Sequence, residues 1–115
     1  MITIDIQNEI DYDLPALNEL IKAAQKILDD KKIVLNVEIG LKIVKPDSIR
    51  ELNKKYRNID KATDVLSFPI YDMLPEKSDE PVLLGDIVVC PEAAQDDFIK
   101  LFSHSVLHLI GIHHK

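Results

Sequence analysis

Polar and hydrophobic residues alternate at the start of the chain. Ile2, Ile4 and Ile6 are separated by Thr3 and Asp5, the period of a strand with one buried face. The period then changes. Leu17, Leu20, Ile21, Ala24, Ile27 and Leu28 recur at helical spacing, so a helix is expected through about Leu28. Asp13 can cap it, with Leu14-Pro15 in the first turn, where a proline is tolerated. Ile33 to Val44 is rich in β-branched residues, with Val37, Ile39, Leu41 and Ile43 alternating, and a long strand is expected. Pro46-Asp47-Ser48 ends it and opens a second helix through about Tyr56. Val65-Leu66-Ser67-Phe68 reads as a short strand stopped by Pro69. Residues 70–82, with Pro75, Ser78, Pro81 and several acids, read as a loop too short to divide two domains. Leu83 to Cys90 is another strand, interrupted early by Gly85. From Pro91 a helical region reaches Ile110, as one helix or as two with Asp96-Asp97 capping a restart at Phe98. Phe98, Leu101, Phe102, Leu109 and Ile110 are apolar on more than one side, which places this last helix largely in the core. No regular βαβ rhythm emerges. The expected fold is α+β: one small domain over residues 1–115, with a mixed four-stranded sheet, packing helices and a functional C-terminal helix.

Composition narrows what such a domain does. The 115 residues are 46% hydrophobic, enough for one core and against disorder. No apolar run approaches the ~20 residues that span a bilayer. Residues 1–10 carry acids and polar groups, unlike a signal peptide. Cys90 is the only cysteine, so no internal disulfide forms; a reducing cytoplasm is the expected setting. At the end of an apolar stretch it reads as a small core residue. The net charge of −6 argues against wholesale nucleic-acid binding. Residues 42–61, however, hold seven basic and three acidic residues, a net +4, so the remainder carries −10. A basic patch on an acidic body can steer a polyanion, and an exposed helix can also simply carry lysines. Charge alone leaves both readings open.

All four histidines fall in the last twelve residues. His104 and His108 are four apart, on one face of a helix and one turn from each other, where two imidazoles can grip one metal ion. Gly111 suits the left-handed residue that ends many helices. The chain can then turn back and bring His114 to the same ion. Three nitrogens and an open fourth position describe a catalytic rather than a structural zinc site. The terminal His-His-Lys could instead be the remnant of a purification tag, which would account for His113 and His114 but not for His104 and His108. A zinc peptidase helix carries a glutamate after its first histidine as general base; here that position is Ser105, so proteolysis is disfavoured.

The segment His104-Ser105-Val106-Leu107-His108-Leu109-Ile110-Gly111-Ile112-His113-His114 resembles the His-Gly-x-Leu-His-Leu-x-Gly-Tyr-Asp-His motif of the YbeY family of bacterial rRNA-maturation endoribonucleases. Leu52-Asn53-Lys54-Lys55-Tyr56-Arg57, Asp60 and Thr63-Asp64-Val65-Leu66-Ser67-Phe68-Pro69 resemble a second block of that family, and Leu84-Gly85-Asp86-Ile87-Val88-Val89-Cys90 resembles its Gly-Asp-Ile strand. The resemblance implies one Zn2+ per chain on His104, His108 and His114, and Arg57 as a catalytic residue facing the metal cleft. It implies cleavage of single-stranded RNA in maturing the 3′ end of small-subunit ribosomal RNA and in ribosome quality control. Ribosomal RNA and the small ribosomal subunit are then the partners, and a membrane is not. The implied fold is a small α+β sandwich with the metal helix against the sheet. Arginine suits the role, because its planar fork holds two phosphate oxygens where lysine offers a point charge. Asp60 and Asp64 could orient Arg57 or a ligand histidine, or could cap a turn. Ser67 and Phe68 read as strand packing.

The sequence departs from the family motif at Ser105 for glycine, Ile112 for tyrosine and His113 for aspartate, and the connection into the metal helix is short. His114 stands one residue from the last, which predicts weaker zinc retention than in longer relatives. The competing reading from another class is a non-catalytic ribosome-assembly factor, with zinc fixing the fold and the basic segment docking rRNA. Hydrolysis of a small-molecule substrate is a third.

Overall fold

The alternating start of the chain becomes the first strand. In the computed structural model, which describes residues 1–111, β1 covers Ile2–Asn8. It is followed by α1 (Leu17–Asp30), β2 (Val37–Ile43), α2 (Pro46–Arg57), β3 (Val65–Pro69), β4 (Val82–Val89), a 3-10 turn at Pro91–Ala93, and α3 (Phe98–Leu109). The four strands form one sheet in the order β1-β2-β4-β3. β2 runs parallel to both β1 and β4, and β3 returns antiparallel along β4. This is the expected α+β domain with a mixed sheet, but its first half is a βαβ unit that the sequence rhythm did not reveal.

The core lies on one face of the sheet. Val37, Ile39, Leu41 and Ile43 of β2 and Val82, Leu84, Ile87 and Val89 of β4 point there. Leu20, Ala24 and Leu28 of α1 and Leu101, Phe102, Val106 and Leu109 of α3 close over them. Phe102 is fully buried. The opposite face carries a smaller cluster, in which α2 packs Ile49 and Leu52 on Val44, Leu66, Phe68, Val88 and Cys90. α1 and α3 therefore share one side of the sheet and α2 takes the other. Cys90 is a fully buried core residue, as its place in the sequence suggests.

β4 keeps its apolar residues inward only because of an irregularity. The β2 pairing steps from Glu38↔Leu83 to Ile39↔Gly85, leaving Leu84 as an extra residue. Such a bulge re-aims every later side chain by one position. It turns Ile87 and Val89 to the core and Asp86 to the open face. Gly85 adopts φ 145°, a conformation that side chains resist.

Two boundaries differ from the sequence expectation, and at a third the structure selects one of the two alternatives the sequence offered. α1 begins at Leu17 with Ala16 as its N-cap, not at Asp13. The Asn8 side chain bonds both the N–H and the carbonyl of Tyr12, which ties the preceding turn back to β1. β2 begins at Val37 rather than Ile33, because residues 31–33 still close α1: Ile33 N–H donates to Leu28 O at 2.9 Å, and Lys32 is left-handed at φ 57°. The region after Pro91 is broken, and Asp97 caps the restart by accepting from Lys100 N–H at 2.9 Å.

Candidate functional site

α3 is held by its apolar face, which leaves the His104 side turned outward. It packs against α1, β3 and β4, while His104 is exposed and His108 half-buried. The two imidazoles lie side by side, with ring centroids 4.6 Å apart and planes tilted by 59°. This is the juxtaposition that the spacing of four predicts. Ser105, between them in sequence, faces the core and is 1% exposed. It is thus unable to reach a substrate on the histidine side. Gly111 ends the helix at φ 90°, with its N–H donating to His108 O at 3.1 Å. Among the described residues no third His, Cys, Asp or Glu joins the pair. The expected third ligand, His114, together with Ile112 and His113, lies outside the described residues.

Arg57 is the last residue of α2 and is exposed. Asn58 follows in the left-handed conformation at φ 58°, turning the chain off the helix. The turn is pinned twice more. Asn53, 2% exposed, donates from Nδ2 to Lys61 O at 2.9 Å. Arg50 Nε donates to Asp60 Oδ1 at 2.8 Å. That hydrogen bond and its charge hold the Asp60 carboxyl below its usual range and the Arg50 guanidinium above its own. Asp60 is therefore the partner of Arg50, which favours, of the roles its sequence position offered, the one of fixing the turn. Asp64 accepts from Thr63 Oγ1 at 3.3 Å, and its carbonyl receives Cys90 N–H. The structure thus unites His104 and His108. It puts Arg57 at the end of the helix on the opposite face of the sheet, where the following loop runs to the edge strand β3.

A second feature escaped the sequence reading. Beside α2 the open face of the sheet forms a groove of about 610 Å³. Its floor is one row of residues in register across all four strands: Asp5, Gly40, Asp86 and Phe68. Tyr56 of α2 forms a wall, set edge-on to Phe68 at 5.1 Å. The Asp86 carboxylate lies over Gly40, in the space a side chain there would fill. The available signals were Gly40 in mid-strand, where glycine marks a close approach, and the polar phase of β1. Phe68 does pack in the strand cluster, as expected, and also lines this groove.

Sheet order, helix placement and the paired histidines define a small α+β protein with a candidate metal-binding helix laid against the sheet. The family model described as Endoribonuclease YbeY matches residues 3–115. Proteins of that name are similar to this chain over most of both lengths. The one from Aliarcobacter butzleri is 40% identical, covering 97% of this chain and 79% of its own. One from Clostridium botulinum is 37% identical, covering 99% and 86%. The solution structure of TM1509 from Thermotoga maritima superposes with a TM-score of 0.50 at 29% identity, covering 100% of this chain and 75% of that one. The chain belongs to the YbeY family of endoribonucleases, which are RNA-cleaving hydrolases.

Proposed function

We propose that this protein is a zinc-dependent endoribonuclease that cuts single-stranded RNA in small-subunit ribosomal RNA precursors, in 3′-end maturation and ribosome quality control. Its partner is then the small ribosomal subunit and its setting the cytoplasm. The observation that carries the reading is the His104–His108 pair, 4.6 Å between centroids on the displayed face of α3, in a chain of an endoribonuclease family. No helix among the described residues is long and apolar enough to cross a membrane.

His104 and His108 are the residues that would hold the ion, with His114 as the third ligand. Zinc, when bound, supplies Lewis-acid charge and acidifies water. The protein's own part is phosphate recognition. Arg57 is exposed and makes no ion pair among the described residues. Its fork can take two non-bridging oxygens of the scissile phosphate and hold them as negative charge grows. The turn that carries it is fixed by Asn53 and by the Arg50–Asp60 pair, which lowers the reorganisation needed when RNA arrives. Lys54 and Lys55 in the same turn add positive charge along the strand's approach.

Arg57→Ala tests this. Cleavage of single-stranded rRNA fragments should fall by about 100-fold or more, the scale of a lost transition-state donor, with an unchanged unfolding curve. A 2′,3′-cyclic phosphate on the product would assign the attack to the 2′-hydroxyl. Wild-type protein that binds small subunits but cuts no RNA would make it an assembly factor instead.

A further inference from the structure

The groove on the open face is separate from the histidine pair, and its charge is distributed unlike that of a phosphate site. We propose that it is a base-recognition subsite for the RNA strand, taking a nucleobase that carries an exocyclic amino group. The proposal rests on the endoribonuclease reading above and names a second contact with that substrate.

The floor offers two carboxylate acceptors; Gln7 and Lys42 also line the groove, and Lys42 is engaged by Glu9 at 3.4 Å. Asp5 and Asp86 flank Gly40 in one register row, two strand spacings or about 10 Å apart. Gly40 leaves the space between them open, and Asp86 leans into it. Carboxylates offer acceptors and repel phosphate. Adenine, cytosine and guanine present amino donors to them; uracil presents two carbonyl oxygens and a single N–H. The wall is built to stack. Tyr56 is 57% exposed although it stands edge-on to Phe68, which is a costly display for a ring with no ligand and a usual one for a base platform. The rim is built for phosphates. Lys54 and Lys55 share the last turn of α2 with Tyr56, and Lys55 Nζ lies 5.1 Å from the Tyr56 ring centre. Acceptors below and cations above suit a nucleotide with its base down and its backbone outside. The same basic rim repels a lysine- or arginine-rich protein segment, the other occupant that the carboxylates would attract.

β3 connects this subsite to α3. Phe68 and Leu66 belong to the α2 side of the sheet, while Val65 packs into the core shared with α3. A strand seated in the groove crosses a single edge strand to reach the histidine helix.

The test is fluorescence anisotropy with short labelled homopolymers of cytidylate, adenylate and uridylate in a cleavage-resistant backbone. Wild-type protein should bind cytidylate about tenfold more tightly than uridylate, within the range of one carboxylate–amino contact. Asp86→Asn, whose amide offers donors as well as an acceptor, should shift preference towards uridylate. Tyr56→Ala should weaken every strand by about tenfold. Asp86 and Tyr56 are both exposed, so circular dichroism should show each variant folded. An identical base preference in wild type and Asp86→Asn, or a lysine-rich peptide that binds and loses affinity on Asp86→Asn while RNA does not, would overturn the subsite. If wild type still cuts RNA in those cases, only the subsite falls; if it neither binds nor cuts, the endoribonuclease reading falls too.

Discussion

Gly85 and Gly40 sit in register-linked positions of the same sheet, yet substitution by alanine should affect them oppositely. A methyl group on Gly85 would strike the Phe68 carbonyl oxygen, Leu109 Cδ2 at 2.9 Å and Pro69 Cα at 3.0 Å. Two of those neighbours are backbone of β3 and cannot swing aside. The φ of 145° adds strain of about 1–3 kcal/mol for a residue with a side chain. Overpacking against fixed neighbours adds about 1–3 kcal/mol. Gly85→Ala should therefore lose about 2–6 kcal/mol, a large share of the ~5–15 kcal/mol that such domains possess. At roughly 4 °C per kcal/mol, the melting point should fall by about 8–24 °C. A methyl group on Gly40 meets only the Asp86 side chain at close range, and that exposed carboxylate can rotate away. Gly40→Ala should cost less than about 1 kcal/mol. Urea unfolding of both variants measures the difference directly. Equal midpoints for the two variants, or a Gly85→Ala midpoint matching wild type, would refute the bulge geometry that places Asp86 outward and Leu109 against the sheet.

Three other outcomes follow from the same contacts. Removing the α3 cap with Asp97→Ala should cost about 1 kcal/mol, read as a lower urea midpoint with an unchanged slope. Phe102→Ala, at a fully buried position, should cost about 3–5 kcal/mol. Because Arg50 holds the Asp60 carboxyl below its usual value of 3.8, the pair favours the folded state above the ordinary carboxylate range. That contribution is lost as pH falls through the lowered value. An NMR titration of Asp60 should show its midpoint rising towards 3.8 in Arg50→Gln, and equal midpoints would contradict the pairing.

Much of the fold was legible because each element buries one face. The alternation of β2 and the helical phase of α1 follow directly from the one-sided core. The outward phase of β1 looked merely half-buried, so nothing in it announced a parallel partner. The bulge at Leu84–Gly85 was visible only as a misplaced glycine, since register is a property of two strands. The start of β2 was misjudged because Ile33 resembles a strand residue while its N–H serves α1. At the site, the spacing of four placed His104 beside His108 correctly, because a helix fixes that relation locally. The partner of Asp60 was not legible: ten residues and a helix end separate it from Arg50, and only the turn brings them together. The groove was invisible for the same reason, being assembled from one residue on each of four strands.

The central claim is that His104 and His108 hold a metal ion. Metal content of untagged protein, measured by elemental analysis for wild type and His108→Ala, tests it most directly. One zinc per chain in wild type, lost in a His108→Ala variant that remains folded, is the predicted result. Zinc retained in full by that variant, or absent from wild type purified without chelator, would contradict it.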